Sequence, residues 1–144
     1  MFANCTSLTA APTLPALSTG TWGYFGMFSG CTNLKNAPSL PATNFGSDVY
    51  AHMFHGCTSL TGAPALNKSS LVGGDYQHMF DSCTSLKNTP TTLPATTISV
   101  SCYMQMFRGC TSLTGVPASL PATTAKQGCY YGMFQDCTSL TASP

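Results

Sequence analysis

Apolar residues recur along this chain in one pattern that repeats about every 26 residues. In each complete copy a tyrosine, a methionine, a phenylalanine and a cysteine stand at positions i, i+3, i+4 and i+7, as in Tyr50, Met53, Phe54 and Cys57. This spacing places the four side chains on one face of a helix, because such residues are neighbours on successive turns. The pattern predicts a short helix in every repeat, with that face buried.

The residue before each cysteine predicts where this helix ends. It is always Asn, Gly, Ser or Asp, and most of these tolerate the left-handed backbone that terminates many helices. The six residues are Asn4, Gly30, Gly56, Ser82, Gly109 and Asp136. We therefore expect a left-handed stop at each of them.

A leucine and a proline follow each cysteine, three and seven residues later, and they predict a short strand after the turn. Because proline lacks an N–H group, a column of prolines removes donors from a parallel ladder, and the strand must be brief or interrupted. The prolines are Pro12, Pro38, Pro64, Pro90, Pro117 and Pro144.

The cysteines of the pattern lie 26, 26, 26, 27 and 27 residues apart, a period typical of a solenoid, in which each unit buries its apolar face against the next. The sequence predicts a single α/β repeat domain over residues 1–144, with about five and a half rungs of 26–27 residues. Each rung is expected to hold a short helix or helical turn and a short strand interrupted by proline. Since the chain starts and stops inside a repeat, we expect it to belong to a longer array or assembly.

The repeated motif resembles that of a known family. Met-Phe-x-Gly-Cys-Thr-Ser-Leu, as in Met53–Leu60, followed by a short strand and Leu-Pro, is similar to the repeats of BspA-type leucine-rich-repeat surface proteins of bacteria. The resemblance spans Met1 to Pro144 and implies a right-handed leucine-rich-repeat solenoid on secreted or cell-surface proteins implicated in adhesion. The proline column departs from the family, which commonly has a β-branched residue in the strand, and this argues against a regular concave sheet.

The chain contains few charged residues, and this limits the classes of function that it can have. Charged residues make up 6% of the chain, the net charge is +1 and glutamate is absent. Such a chain has no long-range field that would attract nucleic acid or an anionic membrane, and it has no apolar run of the roughly 18 residues that span a bilayer. Its four acids stand at scattered repeat positions, without a paired carboxylate, a nucleophile motif or a phosphate loop. The sequence predicts a protein that is not an enzyme, with no catalytic residue, cofactor, nucleic-acid partner or membrane insertion.

Two functions are compatible with these features. The favoured one is an extracellular or surface-displayed module for binding and adhesion, whose partner is a protein or glycan ligand. The alternative is a structural subunit that polymerises with copies of itself end to end. It is suggested by the unmodified core motif at both ends of the chain, where solenoids usually carry polar capping repeats.

Three interpretations of the cysteine column remain open. Buried free thiols behave as small apolar side chains, so packing within a core is the interpretation that we favour. Disulfides between neighbouring rungs are geometrically conceivable. A metal site is the least favoured, because the sequence has no closely spaced pair of the Cys-x-x-Cys kind. The column comprises Cys5, Cys31, Cys57, Cys83, Cys110 and Cys137.

The other two cysteines do not belong to this column. Cys102 and Cys129 occupy the same position in the two longer repeats, one rung apart, and are candidates for a mutual disulfide.

Further candidate sites rest on weaker patterns. Lys35-Asn36 and Lys87-Asn88 recur at one position two rungs apart, and these four residues are a possible ligand face. Asn67 begins an Asn-Lys-Ser sequence and is a possible N-glycosylation site. His52 and His78 share one position on adjacent rungs, which fits either a weak metal or proton-sensitive site or polar residues on an exposed face.

Overall fold

The computed structural model describes residues 1–141, and in this range the chain forms a stack of rungs, as the period predicts. Consecutive rungs pair in parallel through two backbone columns, one of short strands and one of single-residue bridges. Pro144, the last member of the predicted proline column, lies outside the described residues.

The first backbone column consists of two-residue strands. They are β1 (Ser18–Thr19), β2 (Asn44–Phe45), β3 (Ser70–Leu71), β4 (Thr97–Ile98) and β5 (Thr124–Ala125). β1 pairs with β2, and β4 lies between β3 and β5 in a second sheet. These strands follow the Leu-Pro segment of the repeat, which is Leu66-Asn67 in the repeat of β3, in a stretch of variable sequence for which no strand is predicted.

The second backbone column lies where the sequence predicts the strand. Only one residue per rung pairs there, and the run is Ala10, Asn36, Gly62, Asn88 and Gly115. In every described rung a proline follows two residues later, and its missing N–H prevents the pairing from extending. The predicted strand is therefore reduced to a bridge, and we call this run the bridge column.

The predicted helices are wrong, since residues 1–141 contain no α-helix. Each predicted helix is instead a chain of turns. Its N–H groups donate alternately to a carbonyl of the same rung and to a carbonyl of the next rung. The N–H of Met53 donates to the carbonyl of Tyr50 in its own rung, at 3.2 Å, whereas the N–H of Phe54 donates to Met79 in the next rung, at 2.9 Å. Half of the donors that a helix would use internally thus join neighbouring rungs.

The backbone angles explain why no helix forms. In the rung of Cys57 every fourth residue is left-handed, with φ of 57° at Asp48, 56° at His52 and 69° at Gly56. An α-helix needs consecutive right-handed residues, so a left-handed one every fourth position ends each turn before an i to i−4 bond can form. The left-handed backbone predicted before each cysteine is confirmed at all six positions, with φ between 60° and 73°, although no helix ends there.

The buried face predicted from the spacing is confirmed in the interior rungs even though the helix is wrong. Tyr, Met, Phe, Cys and Leu form columns that run through the stack, and most of these side chains are fully buried. The phenylalanine rings from Phe2 to Phe134 stack nearly parallel, with centroids 5.5–5.7 Å apart. The tyrosine rings from Tyr24 to Tyr130 stack at 5.6–5.8 Å. The core is therefore a set of ladders, each made of one residue type.

Candidate functional site: a thiol column and an outward face

The cysteine column is a ladder of hydrogen bonds. Each buried thiol donates to the carbonyl of the phenylalanine one rung earlier, at 3.0–3.1 Å. The pairs are Cys31 with Phe2, Cys57 with Phe28, Cys83 with Phe54, Cys110 with Phe80 and Cys137 with Phe107. The first cysteine, Cys5, differs from the rest of the column because it is exposed.

The thiol gives its acceptor a second hydrogen bond. The carbonyl of Phe28 also accepts the N–H of Cys31 in its own rung, at 3.0 Å, so Cys57 occupies its other lone pair. Burial raises the pKa of the Cys57 thiol to about 12, which keeps it protonated and able to donate at neutral pH. This geometry agrees with the packing interpretation of the column and adds a polar role to it.

Cys102 and Cys129 repeat the same arrangement at a second position. Their thiols donate to the carbonyls of Gly73 and Ser99, at 2.9 and 2.8 Å. Burial raises the pKa of Cys102 to about 12. Both are free thiols in this structure, as are all eight cysteines, so the disulfide between them stays a prediction.

A set of partly or fully exposed residues, which we call the outward face, lies on the turn segments of successive rungs. It comprises Trp22, Phe25, His52, His55, His78, Gln105, Arg108 and Tyr131. All three histidines, the one arginine and the one tryptophan of the chain belong to it. Ring contacts join its first three rungs, from Phe25 to His52 at 5.3 Å and from His52 to His78 at 4.7 Å.

The histidines of the outward face are arranged for stacking. The rings of His52 and His78 are nearly parallel, with 11° between their planes. A metal ion binds in the plane of an imidazole, so an ion held by one stacked ring lies out of the plane of the other. Burial, together with the nearby His78 and His55, lowers the pKa of His52.

A buried carboxylate lies beneath the middle of the outward face. The carboxylate of Asp81 lies 2.9 Å from His78 Nδ1 and accepts a hydrogen bond from the Ser82 hydroxyl, also at 2.9 Å. The guanidinium of Arg108 lies 4.0 Å from the same carboxylate. This carboxylate therefore fixes the positions of two side chains of the outward face.

The other sequence candidates lie elsewhere. Lys35, Asn36, Lys87 and Asn88 are exposed on the bridge column, where Thr61 and Gly62 of the intervening rung separate the two pairs. Asn67 is exposed, and its side-chain nitrogen, the atom that a glycan would modify, donates to the carbonyl of Leu40 at 3.2 Å. The ligand face and the glycosylation site stay predictions.

Sequence reasoning did not single out Trp22. Its φ is 61°, a left-handed conformation that costs a bulky residue roughly 1–2 kcal/mol. Its side chain is 67% exposed, so burial does not compensate for this strain. A comparison of the repeats nine residues before each cysteine would have revealed it, since Asp48, Ser101 and Gly128 occupy that position with a similar backbone.

Asp75 was recognised only as one of four scattered acids, but it is fully buried. One carboxylate oxygen accepts the N–H of Val72 at 2.9 Å and lies 3.7 Å from the ammonium of Lys68. Burial nevertheless raises its pKa to about 6. A comparison of the repeats could have indicated this burial, because Val49, Cys102 and Cys129 occupy the same position in other rungs and are buried.

Comparison with known proteins gives no relative: no family model, no curated protein and no solved structure matches the chain. Among the described residues there is no helix with the length and apolar character needed to cross a membrane. Residues 1–141 also contain no cluster of three or more metal-binding side chains.

We predict that one cysteine reacts rapidly with an aromatic disulfide reagent in the native protein and that all eight react after denaturation. Cys5 is the exposed thiol, whereas burial shields the others. The Cys5→Ala variant is the control and should remove the fast phase. Two fewer thiols after denaturation without reductant would reveal a disulfide, and several fast-reacting thiols in the native state would contradict the buried ladder.

We predict that Asp75→Asn loses less stability than the wild type as the pH rises. Because the folded-state pKa is raised from 3.8 to about 6, the folded protein keeps a proton that the unfolded chain releases. The stability that this proton provides is complete below about pH 4 and is lost as the pH approaches 6. From pH 4.5 to 7.5 the Tm of Asp75→Asn should therefore rise by several degrees relative to the wild type.

The exposed Asp136 offers a matched control, and Asp136→Asn should show little such change. Parallel Tm profiles for Asp75→Asn and the wild type would show that Asp75 is not a perturbed acid.

Proposed function

We propose that this chain is a non-enzymatic binding solenoid, secreted or displayed on a cell surface, whose ligand is a protein or a glycan. The observation that carries this proposal is the contrast between the two sides of each turn segment. The Tyr, Met, Phe, Cys and Leu columns hold one residue type in every complete rung. The position six residues before the cysteine instead holds Phe25, Ala51, Gln77, Met104 and Tyr131 in turn, exposed at Phe25 and Tyr131 and buried at Ala51. A constant interior preserves the shape, and a varied exterior is what recognition requires.

The state of the reactive groups supports a role without catalysis. Asp75 and Asp81 are buried and hydrogen-bonded within the stack, and the column thiols from Cys31 to Cys137 are buried donors with raised pKa values. These groups serve the scaffold. The extracellular location and the adhesive role rest on the resemblance to BspA-type repeats and on a surface with few charges and many hydroxyl groups.

Binding to arrays of neutral and acidic oligosaccharides and of purified extracellular-matrix proteins tests this function. A triple variant changes to alanine His55 and Arg108 of the outward face and the exposed Gln135, which occupies the same repeat position. It should bind its array partner at least about tenfold more weakly. The matched control changes Lys35, Lys87 and Asn88 of the bridge column to alanine and should bind as the wild type does. Loss of binding in the control alone would move the ligand face to the bridge column, and no binding to any probe would contradict the proposal.

End-to-end assembly is the second candidate, and the end faces of the described stack favour it. Phe134 and Phe2 each have a ring neighbour on one side within residues 1–141. A hollow of about 470 Å³ at the last described rung is lined by Leu120, Tyr130, Tyr131 and Phe134, among others. Phe2 of a second copy stacked on Phe134 would continue the phenylalanine column across the two chains.

Sedimentation velocity of the 144-residue chain tests this candidate. If copies stack end to end, the mean mass should rise with concentration above the 15.0 kDa of one chain. Tyr131→Asp should restore the monomer, because it places a charge in the contact, whereas Val72→Asp, on an interior rung, should not. A mass of one chain at every concentration would exclude end-to-end assembly.

A further inference from the structure

We propose that Trp22 and Phe25 form a platform that binds a neutral sugar unit of a glycan. This inference rests on the proposed binding function and specifies a place on the outward face and a class of ligand for it. It starts from Trp22, whose residue type the fold does not require.

Trp22 occupies a backbone position that disfavours tryptophan. In other rungs the left-handed residue at this position is Asp48, Ser101 or Gly128, types that adopt the conformation more readily. Tryptophan has no such advantage, and its ring remains largely in solvent. Strain of this kind, held by the surrounding structure, is a mark of functional sites.

Phe25 adds a second exposed ring to the same turn. Phe25 is 49% exposed at a position where three of the other rungs carry Ala51, Gln77 and Met104 and one carries Tyr131, so the stack does not require an aromatic residue there. Trp22 and Phe25 line one hollow of about 490 Å³, a volume within the range of small-molecule sites. The two rings therefore border a common space.

The turn holds both rings on an ordered backbone. The N–H of Trp22 donates to Ser47 in the next rung at 3.1 Å, and the N–H of Phe25 donates to the carbonyl of Trp22 at 3.1 Å. A platform fixed in this way does not have to be ordered when the ligand arrives, which favours binding.

The surroundings of the rings indicate an uncharged ligand with polar groups. Among the described residues, no acidic or basic side chain other than His52 lines the Trp22–Phe25 hollow or the adjoining hollow of about 430 Å³, which is bordered by Met1, Phe25, Ser29 and His52. The lowered pKa of His52 favours its neutral form at pH 7.5, in which the imidazole can both donate and accept a hydrogen bond.

A pyranose has the matching chemistry. Its C–H groups carry partial positive charge and suit the electron-rich face of an aromatic ring, while its hydroxyl groups bind the indole N–H and a neutral imidazole. Among the described residues that line these hollows, no side chain carries the fixed positive charge that would favour an anionic ligand. The open, shallow setting also suits one unit within an extended chain of sugars.

Fluorescence provides a direct test, because Trp22 is the one tryptophan of the chain. The probes are cellohexaose, maltohexaose, mannohexaose and chitohexaose, with an apolar hexapeptide as the competing class. At least one hexasaccharide should shift the Trp22 emission to the blue and protect it from iodide in a saturable way. Phe25→Ala should weaken this response about tenfold. Val72→Ala, which shortens an exposed apolar side chain outside the outward face, should leave it unchanged.

A second variant separates binding from folding. Trp22→Asn replaces the strained residue by one that tolerates the left-handed backbone, so its Tm should rise while calorimetry detects no binding of the active hexasaccharide. The proposal is overturned if no hexasaccharide changes the emission, if only the peptide or self-association does, or if Trp22→Asn binds as well as the wild type. Binding to the arrays that depends on His55, Arg108 and Gln135 would still support the broader function after such a result.

Discussion

The structure depends on one interaction, the hydrogen bond from an alternate backbone N–H of each turn to a carbonyl of the next rung. Phe54 to Met79 at 2.9 Å is one example, and Gly56 to Asp81 at 2.8 Å is another. A left-handed residue at every fourth position directs these donors out of the rung, so the turns cannot close into a helix. Stacking replaces the internal ladder, and the rung spacing that results brings the Phe, Tyr and Cys columns into contact.

Much of this structure could be predicted from the sequence, because an apolar residue type that recurs at one position of every repeat indicates a buried position. The inner face of Tyr50, Met53, Phe54 and Cys57 and the left-handed backbone at Gly56 are both present in the structure. The helix could not be excluded, since a chain of turns places residues i, i+3, i+4 and i+7 on one side just as a helix does. The left-handed φ of His52 distinguishes the chain of turns from a helix, and a histidine in the sequence does not indicate a left-handed residue.

The candidate sites, like the fold, could be predicted from the sequence only in part. The thiol column could be predicted as packing, but the hydrogen bond from Cys57 to Phe28 depends on the distance between rungs, which the sequence does not contain. The outward face could be assembled from the sequence only in part: His52 and His78 share a repeat position, but the residue types of the face vary from rung to rung. Comparison of the repeats can mark Trp22 as unusual, and its φ then shows the strain.

Hydrogen-bond couplings measured by NMR test the central claim most directly. In a uniformly labelled sample, scalar coupling across the hydrogen bond should link the amide nitrogen of Phe54 to the carbonyl carbon of Met79 in the next rung. A helix would instead link Phe54 to Tyr50, four residues earlier in the same rung. Coupling to Met79 is the result expected of stacked turns, and coupling to Tyr50 would contradict the cross-rung ladder on which the whole account rests.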